Sequence, residues 1–388
     1  MIKINRTILL GIALVGFLAL WLPTTASALH DGGVGHCDAC HTMHNSADNP
    51  ASGTTNNLLL KGTDASSTCL NCHGNGGTGY HIMSADGSAV NQGGDFYWMT
   101  KDYTVIVRGN PVLFSKNDHG HNVIASDFLM DVDPDNATAP GGTYPAASLG
   151  CESCHDPHGK VNGGTANGGL PISVSGSYGA ADPTDGSIHG NYRLLGDTTY
   201  APPGGSTFGA AAPIARATNV SGSSYGAMVD YGSGMSEWCG NCHGLYLNDS
   251  HKHPAGNGEQ LNGQASNYNS YVATGDFTGD QTTSYDGLVP FEQGETDGSL
   301  LTGGIMSAGP DSTSNVMCLT CHRAHSSANA NAGRWDFEVE LLAESHALES
   351  PDVPVGAAVY YKDALVVDIA TEYGPYQRSL CNKCHVQD

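Results

Sequence analysis

Basic residues are scarce in this chain. Fifteen Lys and Arg stand against 38 Asp and Glu in 388 residues, a formal charge of −23. A surface of that sign repels phosphate backbones and anionic lipid, so nucleic acid and acidic membranes are excluded as partners, and the acidity reads as a solubilising surface. Long apolar runs are scarce too: beyond residue 22 no stretch is long and apolar enough to span a bilayer. No Ser-His-Asp constellation, phosphate loop or dinucleotide fingerprint occurs, so nothing points to hydrolase or nucleotide chemistry. Ordinary core material is thin. Hydrophobic residues make up 39%, and 52 glycines are about twice the usual share. Such a chain does not close a large aliphatic core of its own. Finally, no cysteine is spare. All twelve lie in one repeated pattern, so structural disulfides are excluded.

That pattern is Cys-x-x-Cys-His, present six times: Cys37–Cys40–His41, Cys69–Cys72–His73, Cys151–Cys154–His155, Cys239–Cys242–His243, Cys318–Cys321–His322 and Cys381–Cys384–His385. It is the attachment signature of c-type haem. Two thioether bonds need two sulfurs within reach of one porphyrin edge, and the two-residue gap supplies them. The adjacent histidine then falls under the iron as proximal ligand. Zinc half-sites and redox disulfides also use Cys-x-x-Cys, but neither needs a histidine directly after the second cysteine. The sequence therefore implies six covalently bound haem c groups.

The N-terminus reads as a signal peptide over 1–28. Lys3 and Arg6 precede the apolar run Ile8 to Leu22, and Ala26-Ser27-Ala28 forms a cleavage site. An uncleaved anchor is the competing reading. Export suits the chemistry, because c-type attachment takes place outside the cytoplasm. Removing 28 of 388 residues leaves 360 in one hexahaem domain, 29–388, or 60 per haem; losing Lys3 and Arg6 takes the charge to −25. Six flat apolar porphyrins then form the core. The expected fold is mostly coil with short α-helices and few strands, wrapped around a chain of six haems. Turn-rich runs such as 140–145, 163–169 and 201–212 support it.

Twelve histidines remain beyond the proximal six: His30, His36, His44, His81, His119, His121, His158, His189, His251, His253, His325 and His346. Six of them would make every iron six-coordinate, and such an iron exchanges electrons but has no open position for a substrate. This favours an electron carrier over a haem enzyme. His44, His158 and His325 each follow a proximal histidine by three residues. In a helical turn, positions three apart share one side, about 5–6 Å apart at Cβ. Axial ligands approach one iron from opposite faces, so the second histidine of each pair serves a different haem. His121, His253, His81 and His30 complete the distal candidates. The first three lie beside Gly or Pro turns where backbone approaches a haem closely, and His30 lies at the mature terminus. His36, His119, His189, His251 and His346 read as non-ligands.

Several longer segments carry a resemblance: His30-Asp31-Gly32-Gly33-Val34, His41-Thr42-Met43-His44-Asn45-Ser46, Gly94-Asp95-Phe96, Gly120-His121-Asn122-Val123, Cys154-His155-Asp156-Pro157-His158-Gly159-Lys160, Gly234-Met235-Ser236-Glu237-Trp238-Cys239, His253-Pro254-Ala255-Gly256 and Cys321-His322-Arg323-Ala324-His325. With the number and order of haem motifs, they make the chain resemble the filament-forming hexahaem c-type cytochromes of metal-reducing bacteria, the extracellular cytochrome nanowire family. The resemblance implies head-to-tail stacking into a conductive filament. It implies electron delivery from upstream periplasmic or outer-membrane cytochromes to external acceptors such as metal oxides. It also implies that His44 leaves its own subunit to ligate the haem on Cys318, Cys321 and His322 of the next. Segments 200–230 and 335–375 diverge from the family pattern, and seven distal candidates compete for six irons. A monomeric periplasmic shuttle and a multihaem oxyanion reductase are the alternatives. The second needs a five-coordinate haem, and all six motifs are regular.

Two smaller features complete the reading. Asp131, Asp133 and Asp135 resemble the start of a calcium loop without its glycine and terminal glutamate, so they suggest a weak calcium or magnesium site or a solvated acidic loop. Trp238, Tyr80, Tyr97, Tyr103 and Tyr376 are expected to pack on haem.

Overall fold

The computed structural model describes residues 37–42, 58–75, 81–87, 93–107, 110–157, 174–175, 189–190, 192–198, 200–218, 228–248, 252–272, 275–281, 289–301, 309–341, 360–361, 364–365 and 381–385. Among them are six α-helices: α1 Cys37–Cys40, α2 Ala65–His73, α3 Met235–His243, α4 Gln264–Ser270, α5 Cys318–Cys321 and α6 Cys381–Cys384. All except α4 carry a Cys-x-x-Cys pair, and the remaining pair begins in the tight turn Cys151–Ser153. Most of the other described backbone is coil, in line with the composition.

Helices of four to nine residues fall below the roughly 12–15 at which an isolated helix holds in water. Caps and tertiary contacts hold them here. The Asp64 carboxylate caps α2 by accepting the Ser67 N–H at 2.7 Å. Helix α3 starts from Gly234 in left-handed backbone (φ 88°), which offers no capping side chain. A distant residue takes that place: Glu292 Oε1 accepts the Met235 N–H at 2.7 Å.

The strands form two-stranded ribbons. The β1 (Tyr103–Val107) and β2 (Asn110–Phe114) strands pair antiparallel from Tyr103↔Phe114 to Val107↔Asn110. Two-residue strands β3 (Val174–Ser175) and β4 (His189–Gly190) pair parallel. The β5 (Ile214–Thr218) and β6 (Met228–Ser233) strands pair antiparallel with a register shift at Ile214/Ala215, and β7 (Tyr360–Tyr361) pairs antiparallel with β8 (Ala364–Leu365).

Apolar burial is split into small clusters. One gathers Tyr192, Leu195, Val229, Tyr231, Met235, Met317 and Leu319. Another gathers Leu70, Phe96, Met99, Val123, Ala125 and Met130. A third joins Tyr97, Trp98, Tyr103 and Phe114. Three distant segments meet around Ser326, which bridges both Gly94 and Gly120. A Cβ on Gly94 (φ 93°) would lie 1.9 Å from Ser326 O, and one on Gly120 2.2 Å from His325 O. Only glycine permits this closeness, and it sets His121 and His325 side by side.

Candidate haem-binding site

The first, third and fifth proximal histidines occupy one repeated backbone cradle. Each donates its Nδ1 hydrogen to a main-chain carbonyl at 2.8 Å: His41 to Leu58, His155 to Arg193, His322 to Asn331. The residue after each histidine donates to the next carbonyl along, Thr42 to Leu59, Asp156 to Leu194 and Arg323 to Ala332, each at 2.7 Å. Then Lys61, Gly196 and Arg334 donate back to the carbonyls of Cys40, Cys154 and Cys321 at 2.9, 2.9 and 2.8 Å. The accepting segment turns through left-handed backbone at Leu59, Leu194 and Ala332 (φ 54°, 58° and 53°). Non-glycine residues there cost about 1–2 kcal/mol each, so the cradle is held by its surroundings.

A carbonyl cannot donate. A ring whose Nδ1 faces one therefore carries a proton there, which leaves Nε2 as the nitrogen that can bind a metal. The fourth proximal histidine follows suit, His243 donating to Pro140 O at 2.7 Å. So do two distal candidates: His121 donates to Ala324 O at 2.7 Å and His253 to Pro254 O at 2.8 Å. Burial reinforces neutrality. It lowers His121 to about 4, helped by neighbouring His243, and His325 to about 3, helped by His155. Burial also lowers His155 and His322.

Three distal candidates face three proximal histidines. Ring centroids are 6.0 Å apart for His121–His243, 6.4 Å for His155–His325 and 5.9 Å for His253–His385. Two metal–imidazole bonds of about 2.0–2.1 Å, plus about 1.2 Å from each nitrogen to its ring centre, span about 6.4–6.6 Å when collinear and less when bent. The pairs thus fit one iron between them. Phe96 stacks on His325 at 4.8 Å and 24°, orienting a ring whose Nδ1 has no hydrogen-bond partner.

The expected helical turn between His322 and His325 is absent. Helix α5 ends at Cys321, and His322 is extended (φ −113°, ψ 158°). The chain therefore leaves the helix at the proximal histidine, and His325 faces His155 instead of the site next to it. His81 is exposed, and Ile82 donates its N–H to His73 O at 2.9 Å. His30, His44 and His158 lie outside the described residues, as do the signal segment, Tyr80 and Tyr376.

The motifs follow one another through space. Cys69 lies near Cys40 and Cys151. Cys154 lies near Cys242, Cys239 near Cys318, and Cys321 near Cys381 and Cys384. Sequence order is spatial order, with the second and third motifs and the fourth and fifth drawn closest. Both close pairs share one device: Ser66 and Ser236, each three residues before its helix's first cysteine, accept the N–H of Cys151 and Cys318 at 3.0 Å.

Sequence reasoning missed that device, the cradle and Glu292. It also missed Lys383. This lysine lies between the cysteines of the sixth motif, is buried, and donates to Tyr271 O at 2.9 Å with its Nζ 4.4 Å from the Tyr268 ring centre. It docks α6 on α4. Other expectations land elsewhere. Tyr97 and Tyr103 belong to an aromatic cluster with Trp98, where His119 stacks on Tyr103 at 5.1 Å. His119 is fully buried, with neither ring nitrogen hydrogen-bonded. Trp238 donates its indole N–H to Gly196 O at 2.7 Å. The Asp133 carboxylate accepts the N–H groups of Asp135 and Asn136, and among the described residues no group of three acidic, His or Cys side chains is gathered to hold a free metal ion.

Paired imidazoles beside Cys-x-x-Cys motifs, on a coil-rich chain, define a c-type cytochrome, an electron carrier rather than an enzyme. No protein-family model matches the sequence. It is 41% identical to the C-type cytochrome OmcS of Geobacter sulfurreducens over an alignment of 416 positions, covering 94% of this chain and 95% of that protein. The cryo-EM structure of the OmcS nanowires from that organism superposes with a TM-score of 0.72 at 40% identity, covering 92% of this chain and all of that one. A second structure, of the Outer Membrane Cytochrome S filament, gives 0.73 at 39% with the same coverage. The chain belongs to the OmcS family of c-type cytochromes. Among the described residues no helix is long and apolar enough to cross a membrane.

Proposed function

We propose that this chain is an exported electron carrier with six bis-histidine haem c groups, assembled head to tail into an extracellular filament that passes electrons to external acceptors such as metal oxides. Bound haem supplies one-electron redox chemistry. The protein's part is to clamp each iron from both sides, to shut out exogenous ligands, and to hold the attachment sites in file. The facing of His121 on His243, His325 on His155 and His253 on His385 carries this reading.

The same pairs support the assembly. His325 follows the fifth motif and faces the third. His121 and His253 follow the second and fourth and face the fourth and sixth. Odd motifs thus send a histidine two sites back, and even motifs send one two sites forward. Under that rule His158 serves the first motif. His44 has no site two back in its own chain and requires a second copy, whose Cys318–Cys321–His322 motif is the matching position. His81 and His30 are left to compete for the second motif. Kinship with a protein whose solved structures are nanowires and filaments supports the same assembly.

The test is electron microscopy of cell-surface material from cells making the wild-type chain or His44→Ala. Haem-rich fibres are expected only with the wild type, while the variant keeps six haems by pyridine haemochrome assay. Fibres in the variant would overturn the assembly rule.

A further inference from the structure

The two close motif pairs are built alike but carry different carboxylates. Asp64 is the half-buried N-cap of its own helix α2. Glu292 comes to α3 from 57 residues away and is fully buried. Its placement is rigid. The Glu292 N–H donates to Asn315 O at 3.0 Å and its carbonyl accepts the Asn315 N–H at 2.8 Å, just ahead of the fifth motif. Thr320 Oγ1 donates to neighbouring Pro290 O at 2.7 Å. Glu292 thus stands between α3 and α5, which carry the fourth and fifth motifs. Its Oε1 is used by Met235, and its Oε2 is buried with no hydrogen-bond partner. An ionised carboxylate in that position lacks half of its solvation.

The groups facing it do not neutralise it. From α3 comes Glu237, a second carboxylate, and from α5 Cys318, whose sulfur is an uncharged thioether once haem is attached. Strand β6, bridged to it at Tyr231, brings the buried Tyr231. Burial, with Glu237 adding, raises Glu292 to about 7. Glu237 is half-buried, and its Oε1 accepts the Asn257 N–H at 2.7 Å in an exposed turn, which provides a route to solvent.

We propose that Glu292 takes up one proton from solvent when the haem sites of the fourth and fifth motifs gain an electron, and releases it when they lose it. This rests on the electron-carrier reading above. The step balances: one electron from an external reductant goes to a ferric site, one proton from water goes to Glu292 Oε2, and local charge is unchanged. An added negative charge near a carboxylate always favours its protonated form. Glu292 is the fully buried carboxylate of the fourth and fifth motifs; Glu152, in the third motif, also keeps a buried Oε2 without a hydrogen-bond partner and is raised by burial, so the two must be separated by substitution.

The experiment is a spectroelectrochemical titration of the holoprotein between pH 5 and 9, with infrared difference spectra on reduction. In the wild type, part of the reduction wave moves to lower potential as pH rises, and a protonated-carboxyl C=O band appears on reduction at pH 7. In Glu292→Gln, which keeps the acceptor for Met235, that band disappears and the pH dependence of that part of the wave is lost. Asp64→Asn and Glu152→Gln change neither. An unchanged pH dependence in Glu292→Gln overturns the proposal, as does a wild-type difference spectrum without the band. A wild type without the band overturns the proposal even if the variant fails to fold. Haem content and low-spin absorption of the same samples report separately on the underlying reading.

Discussion

The second and third motifs and the fourth and fifth form two versions of one unit. In each, a helix-borne serine accepts the N–H of the next motif's first cysteine, and that motif's histidine is cradled by a left-handed backbone turn. The difference lies at the helix start. Asp64 caps α2 from next door and shares water, whereas a glycine opens α3 and buried Glu292 substitutes. The backbone geometry of a haem pair can therefore be copied while its electrostatics are changed by one side chain.

The strongest way to break this parallel is to remove one axial candidate from each unit. His325→Ala and His121→Ala are each expected to leave one high-spin iron that binds one equivalent of carbon monoxide when reduced, while the wild type binds none. Absorption titration checks this. A silent variant would show that its pair is not bis-histidine and that the units differ in ligation too.

The next effect concerns stability. Glu292 has its folded-state value raised from 4.5 to about 7 by burial. A raised carboxyl contributes stability that is fully present below about 4.5 and is lost as pH rises through 7, by up to about 3 kcal/mol. Wild type is thus expected to lose stability relative to Glu292→Gln between those pH values in denaturant titrations. At Asp64 the swap to Asn exchanges two good caps and changes stability by a few tenths of a kcal/mol. Parallel profiles for the wild type and Glu292→Gln would erase the distinction.

The smallest effect tests sameness. Ser66→Ala and Ser236→Ala each leave a cysteine N–H without its acceptor, at a cost of about 1 kcal/mol. Equal shifts of the unfolding midpoint support a common unit, and a large inequality would show that only one serine bears strain.

Much of this was legible in the sequence, for identifiable reasons. Covalent chemistry fixes Cys-x-x-Cys-His, so the haem sites can be read locally. Coil with short helices follows from glycine content and the thin supply of aliphatic residues. Ligand geometry pointed His325 to a motif other than its neighbour, and its ring lies by His155, although the chain leaves α5 at Cys321 and makes no helical turn there. The cradle was not legible. Its acceptors are carbonyls of Leu58, Arg193 and Asn331, and every residue has a carbonyl. Glu292 was hidden because its partner is 57 positions away. The aromatic cluster around His119 was not legible because ring content says nothing about which rings meet.

The use of main-chain acceptors has a consequence for how such a protein drifts. A mutation at Leu58, Arg193 or Asn331 replaces the side chain and leaves the carbonyl in place. The iron-facing nitrogens are thus insulated from most substitutions in the loops that aim them. Lineages can rewrite their exteriors while the imidazoles inside keep their alignment.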